Sequence, residues 1–426
     1  MIPINVSFRM FVVTISIALA SMSLTADETG TVKDGPPRNS AAARAPVQMS
    51  DLGKAIHSRG FVFDGHNDLP WAMRRLAGSS FDRVDIAKPQ AKLMTDIPRL
   101  RKGNVGAQFW SVYVPANLGI RGTAYQTTME QIQLVRTMCE RYPDTFALAT
   151  SVADIRAARK EGKIASLIGV EGGHSIENSI GNLRRLYDAG ARYMTLTHSS
   201  NLDWADSATD DTRVGGLNAF GKDVVREMNR LGMLVDLSHV SPAVMKQALE
   251  ISTAPVIYSH SSARAKTDHP RNVPDEMLPL IRQNGGVIMV NFYSGYVVPA
   301  ATKWSERADE IYERTKRDNG GDEDAAMQKM RAWRTANPPP AGTVHDLVDH
   351  IDHLVDLCGI DHVGLGSDYD GVPKLPKQIE DVSTYPIITQ ALLDRGYTET
   401  QIHKIMSGNV MRAFAEAERV AQKPSS

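Results

Sequence analysis

Phe61-Val62-Phe63-Asp64-Gly65-His66-Asn67-Asp68 is an apolar run that closes on an imidazole and a carboxylate set one residue apart. In a strand, residues two apart share one side of the pleat, so His66 and Asp68 face the same way. A borderline-soft nitrogen beside a hard anionic oxygen suits Zn²⁺ or a similar divalent ion. A structural or surface pair is the other reading of a single His-x-Asp. The rest of the chain decides between them.

Eight short apolar runs rich in β-formers can be read: Gly60 to Asp64, Gly106 to Val114, Ile164 to Val170, Arg192 to Thr197, Met233 to Leu237, Pro255 to Ser259, Gly286 to Phe292 and His362 to Gly366. Helical patterns lie between them, among them Ala124 to Arg141, Asn178 to Ala189, Leu217 to Leu231 and Pro242 to Ile251, the last behind a Ser241 cap. Strand and helix alternating in this way, with crossovers that make the strands parallel, predict an α/β fold: a closed (β/α)8 TIM-type barrel rather than an open doubly wound sheet. Lys303 to His353 breaks the pattern with dense charge, Asn319-Gly320-Gly321 and Pro338-Pro339-Pro340, and predicts a helical insertion before the last strand. His345, His350 and His353 stand there among Asp346, Asp349 and Asp352; a solvated helix face is the first reading and a second metal site the lesser one.

Met1 to Ala26 has the form of a secretory signal: Arg9, the apolar run Met10 to Ala20, then small residues. That run is shorter than the roughly 20 residues a spanning helix needs. The expectation is therefore an exported protein, periplasmic or secreted, with no stable membrane anchor once the signal is removed. Residues 27–50, rich in Gly, Pro and Ala, read as a flexible leader, and 51–420 as a single hydrolase domain containing the 303–353 insertion.

Of the 426 residues 42% are hydrophobic, enough for a sizeable core, and 48 Lys+Arg against 49 Asp+Glu leave a net charge of -1. No basic stripe is present, so nucleic acid is not expected as a partner. Cys139 and Cys358 are the only cysteines, which excludes a disulfide framework and leaves their pairing open. Any metal site must then be built from histidines and carboxylates.

Barrel enzymes gather their chemistry at the C-terminal ends of the strands. Those ends carry His66 and Asp68, Glu171, His198, His239, His260 and Asp368. Each histidine alone could be a hydrogen-bonded core residue. Burying them together with three carboxylates at one mouth is costly unless cations neutralise the acids and take the nitrogen lone pairs. The groups outnumber what one catalytic zinc requires, and a carboxylate such as Glu171 can bridge two ions about 3.5 to 4 Å apart.

Phe-Asp-Gly-His-Asn-Asp at 63–68, Gly-Val-Glu-Gly-Gly-His at 169–174, Tyr-Met-Thr-Leu-Thr-His at 193–198, Asp-Leu-Ser-His at 236–239 and His-Val-Gly-Leu-Gly-Ser-Asp-Tyr-Asp-Gly at 362–371 resemble, in the same order, the membrane (renal) dipeptidase family, zinc peptidases of the amidohydrolase barrel type. The resemblance implies two Zn²⁺ ions, one held by His66, Asp68 and Glu171 and the other by Glu171, His239 and His260. It implies His198 and Arg271 as substrate-contacting residues and Asp368 as the catalytic acid. The implied reaction is hydrolysis of a dipeptide by water activated between the two metals, with Asp368 carrying the proton. Arg271 would grip the substrate carboxylate, and Tyr296 is expected in the same pocket. The family's lipid anchor and disulfides are not carried over, and a homodimer is left open. A sister barrel hydrolase acting on a lactone, cyclic amide or aminated base is the alternative, and a secreted zinc-binding protein without turnover is the rival of another class.

Overall fold

The computed structural model describes residues 45–421; the expected signal and the expected leader as far as residue 44 lie outside the described residues. Residues just ahead of the first helix are tied down. Val47 is buried and exchanges two hydrogen bonds with the Gln378 side chain, at 2.9 and 3.0 Å. Ser50 then caps the helix Asp51–Arg59, its hydroxyl accepting from the Gly53 N–H at 3.0 Å.

Nine parallel strands follow among the described residues: β1 (Val62–Asn67), β2 (Val105–Ser111), β3 (Phe146–Leu148), β4 (Ile164–Glu171), β5 (Ala191–Thr195), β6 (Leu234–Asp236), β7 (Ile257–Tyr258), β8 (Val287–Val290) and β9 (Val363–Leu365). All but β3 form a ring, β1-β2-β4-β5-β6-β7-β8-β9, which closes where Leu365 of β9 pairs with Asp64 of β1. This is the (β/α)8 barrel that the eight apolar runs predict. The ninth strand, β3, lies outside the ring beside the start of β4, Phe146 opposite Ile164.

Every residue of β1, β2 and β4 is buried, because one face fills the barrel and the other is covered by helices. Period-2 alternation then sorts apolar side chains between two cores. Phe63, Phe109, Leu167, Tyr193 and Met289 point inward; Val62, Trp110, Ile168, Met194 and Ile288 pack under the helices. Phe109 lies 5.4 Å from Phe63 and 4.8 Å from Tyr193, ring centre to ring centre. The C-terminal helix Asn409–Val420 sends Phe414 into the same inner cluster, 6.4 Å from Phe109. Filled in this way, the barrel is a floor beneath its mouth and not a pore.

The expected insertion divides in two. Pro299–Asp318 and Glu323–Ala336 are the added helices, turned by Gly320 and Gly321 at positive φ and joined by Trp304 against Trp333, 5.5 Å apart. Val344–Cys358, which the charge pattern had merged with them, is a helix of the barrel itself. Its Val344, Leu347, Val348, Ile351, Leu354 and Val355 are buried, and only its opposite face is charged.

Its histidines serve as stitches, each to a different segment. His345 Nε2 meets the Ala45 carbonyl at 2.8 Å, His353 Nε2 meets Asp275 at 2.8 Å, and His350 Nδ1 accepts from the Ala263 N–H at 3.0 Å while Nε2–H donates to the Val297 carbonyl at 3.1 Å. They do not converge on a metal. Burial pushes His350 down to about 3. An unfolded histidine titrates near 6.5, so below that pH the unfolded chain binds a proton that the folded chain refuses, and stability falls as pH falls. Between pH 7 and 5 this one residue should cost about 2 kcal/mol. In urea titrations at the two pH values, His350→Gln should show a smaller pH-dependent drop than wild type; an equal drop would remove His350 from the account.

Candidate metal centre

All eight ring strands point their C-terminal ends to one mouth. His66 lies near the end of β1 with Asp68 just beyond it; Glu171 ends β4; His198, His239, His260 and Asp368 follow β5, β6, β7 and β9 by two or three residues. Two of these sit in the left-handed region that side chains avoid, His239 at φ 69° and Asp368 at φ 63°. Such backbone costs about 1–3 kcal/mol per residue and persists only where the surroundings enforce it. Here they do: the Asp368 N–H donates to the His66 carbonyl at 3.0 Å, and the His239 carbonyl accepts from the Ala208 N–H at 2.7 Å. Gly371 completes the floor, since a Cβ there would stand 2.2 Å from Asp68 Oδ2 and 2.6 Å from Asp368 Oδ1.

Glu171 is the hub. Its Oε2 lies 3.4 Å from His66 Nε2 and accepts from the Ser111 hydroxyl at 3.0 Å. Its Oε1 lies 3.1 Å from His239 Nε2, 3.6 Å from His260 Nε2 and 3.6 Å from His198 Nε2. Asp68 Oδ2 stands 3.3 Å from His66 Nε2 on the first side. One carboxylate thus turns each oxygen to a different set of imidazoles. Three overlapping groups, His66-Glu171-His260, Glu171-His198-His239 and His66-Asp68-Asp368, bring ligand atoms within 4.8 Å of one another.

The arrangement fits metal ions by its own hydrogen bonding. His66 places Nδ1 2.8 Å from the Tyr193 hydroxyl, while its Nε2 is buried without a hydrogen-bond partner. Buried polar atoms are seldom left so. His239 and His260 bring two Nε2 atoms to 2.9 Å at the same carboxylate. Nitrogen and oxygen donors without a thiolate match zinc, and the split of Glu171 makes the site binuclear.

Electrostatics shows what the cluster lacks. Burial alone would raise Glu171, yet His66 and the hydrogen bond from His239 hold it well below the carboxylate range. Burial opposes charge on His66 too, but Tyr193, Glu171 and Asp68 outweigh it and raise this imidazole. Burial and then Arg271 keep His239 neutral; burial, His66 and Arg271 do the same for His260. Asp368 is pushed up to about 8, chiefly by burial, with Asp68 and Glu171 adding to it. Positive charge is drawn to the acids beside imidazoles that burial keeps neutral, which is the demand a divalent cation meets.

Above the cluster lies a cavity of about 270 Å³, lined among others by Trp71, Tyr113, His198, Arg271, Tyr296 and Asp368. Such a volume is just below the roughly 300–1,000 Å³ usual for ligand sites. Arg271 is 2% exposed, yet its partners are the Ser261 hydroxyl at 3.3 Å, the His260 carbonyl at 3.2 Å and the Tyr296 ring at 5.3 Å. None is an anion.

The nine residues expected from the sequence, His66, Asp68, Glu171, His198, His239, His260, Arg271, Tyr296 and Asp368, are therefore gathered around one centre. Neutral supporting residues escaped the sequence reading. Asn291, just after β8, donates to Asp368 Oδ2 at 2.8 Å; Tyr193 and Ser111 brace His66 and Glu171. Asn291 occupies a strand end like the others, and that position was its only signal.

Among the described residues no helix is long and apolar enough to cross a membrane. Dipeptidase 3 of Mus musculus is 39% identical over 367 residues, 85% of this chain and 65% of its own length, and the Rattus norvegicus protein is also 39% identical, over 85% of this chain and 66% of its own. The chain thus spans just under two thirds of the length of these curated relatives. The crystal structure of the probable dipeptidase PvdM from Pseudomonas aeruginosa superposes with a TM-score of 0.77 at 25% identity, covering 87% of this chain and 98% of that one. A metallo peptidase from Rhodobacter sphaeroides, liganded with a phosphinate mimic of the dipeptide L-Ala-D-Ala, shares the fold with a TM-score of 0.68 at 23% identity, over 84% and 99% of the two chains. Residues 51–426 match the family model for membrane dipeptidase, and with this barrel and this split carboxylate the chain belongs to that family, peptidase family M19.

Proposed function

We propose that this protein is an exported zinc dipeptidase that hydrolyses the peptide bond of a dipeptide. The observation that carries the reading is Glu171 dividing its two oxygens between His66 and the His239-His260 pair, beneath a cavity that also holds Asp368 and Arg271. His66 and Asp68 would hold one zinc, His239 and His260 the other, and Glu171 both. When bound, the metals supply Lewis acidity and water that ionises near neutral pH.

The chain's own groups do the rest. Asp368, with Oδ2 held by Asn291, takes the proton of the attacking water and returns it to the leaving amine. His198 is the most accessible histidine of the set, its side chain 19% accessible against 8% for His239, 1% for His260 and 0% for His66, so it faces substrate. Its Nδ1 lies 3.0 Å from the Ser199 hydroxyl; with that hydroxyl as donor, Nε2 carries the proton that stabilises the carbonyl oxygen as it gains charge. Arg271, stacked on Tyr296, receives the free carboxylate of the substrate.

Assaying L,L and L,D dipeptides before chelation, after it and after zinc add-back tests the reading: cleavage that is lost and restored supports it, and cleavage indifferent to chelation sinks it. Arg271→Ala should lower kcat/KM about 10²-fold, the worth of roughly 3 kcal/mol in two charge-assisted hydrogen bonds. That loss should be confined to free dipeptides. Dipeptide amides, already poor for wild type, should change little, whereas unchanged kcat/KM for free dipeptides in the variant would exclude the clamp.

A further inference from the structure

Behind the ligands, Asp236 at the end of β6 is fully buried and fully occupied. Its Oδ1 accepts the backbone N–H of Ser238 at 3.1 Å and of Ser259 at 2.8 Å. Its Oδ2 accepts the hydroxyls of Ser259 at 2.7 Å and Thr195 at 2.5 Å. The Ser259 oxygen also lies 2.8 Å from His260 Nδ1. A hydroxyl has one proton to give, and here it is committed to the carboxylate. Towards His260 the serine can then only accept. The proton of the neutral imidazole is thereby placed on Nδ1, and the lone pair is left on Nε2, the atom that faces Glu171 at 3.6 Å.

We propose that Asp236 is a positioning residue which, through Ser259, holds His260 in the one tautomer able to bind metal through Nε2. The inference rests on His260 being a ligand. Carboxylates commonly orient metal-bound histidines; here the serine inserted between them carries the direction of the proton. A second copy of the scaffold shows which part is special. Asp64 accepts from the Ser367 N–H at 2.8 Å, the Ser367 hydroxyl at 2.6 Å and the His66 N–H at 3.2 Å, again joining two strand ends. Asp368 follows Ser367 where His260 follows Ser259, so that copy sets backbone position and has no tautomer to select.

In Asp236→Asn the amide nitrogen cannot face two backbone N–H groups, so it takes the Oδ2 side, where both hydroxyls can turn round. Ser259 then accepts from the amide and donates to His260 Nδ1. The imidazole proton is driven to Nε2. Zinc per chain and competition with a chelator, read alongside thermal melting, should show one site weakened about 10–100-fold. Thr195→Val removes a donor to the same carboxylate without touching the relay and should bind both ions like wild type. A folded Asp236→Asn protein with wild-type affinity at both sites overturns the proposal, and so does an equal loss in Thr195→Val. If Asp236→Asn does not fold, Ser259→Ala carries the test: weakening of one site supports the relay and wild-type affinity overturns it. His260→Ala separates the two levels, because if it retains both ions the ligand assignment itself falls, whereas if it loses one while the relay variants lose none only the relay falls.

Discussion

Glu171→Gln should abolish measurable dipeptide hydrolysis and leave fewer than two zinc ions per chain. The substitution keeps the shape of the side chain and changes what it offers. A carboxylate presents acceptors at both oxygens; an amide presents one acceptor and one NH2 group without a lone pair. Since Oε2 faces His66 and Oε1 faces His239 and His260, one half of the centre must meet a donor where it needs a ligand. Removal of an outer partner already costs a metal site about 10–100-fold, and loss of the shared inner one should cost at least that. Metal analysis after dialysis, with a melting curve to verify folding, checks this. Two tightly held zinc ions in the variant would mean that Glu171 is not the bridge.

Asp368→Asn should separate turnover from metal binding. General acid-base groups are worth about 10²–10⁴ in rate, so kcat should fall by that order while zinc stays at two per chain. The amide retains the bond with Asn291 through its oxygen but has no proton to accept or return. Asp368 also lies in a group with His66 and Asp68 that can hold an ion, which gives the experiment a second edge. Should zinc drop to one per chain together with kcat, Asp368 is a ligand; near-normal turnover would dismiss it from the chemistry altogether.

The barrel was readable because its strands are buried on both faces and so appear as unbroken apolar runs, each ended by a polar residue at the mouth. β3 escaped, being three residues long and outside the ring. The insertion was drawn too far because Val344–Cys358 carries Asp346, Asp349, Asp352 and Asp356 on one side; the buried spacing of Leu347, Val348, Ile351 and Leu354 was the competing signal. Charged and imidazole groups announce a site in sequence, and neutral ones do not. Tyr193 reads as one more core aromatic because only its hydroxyl reaches His66. Asp236 reads as the end of a strand, and its tie to Ser259 exists only after folding.

The seam between β9 and β1 joins residues far apart in the chain: Asp64 and Ser367, hydrogen-bonded at 2.8 Å, are 303 positions from each other. His66 and Asp68 stand on one side of that seam and Asp368 on the other. Contacts so distant in sequence form late, because the entropy of the long intervening loop must first be overcome. Under the proposed function, a chain still emerging from synthesis, or clipped before its final strand, should consequently be inert however much of its architecture has formed. On that function, hydrolytic competence should arrive only with this seam, and its appearance during refolding would clock the moment at which the ring shuts.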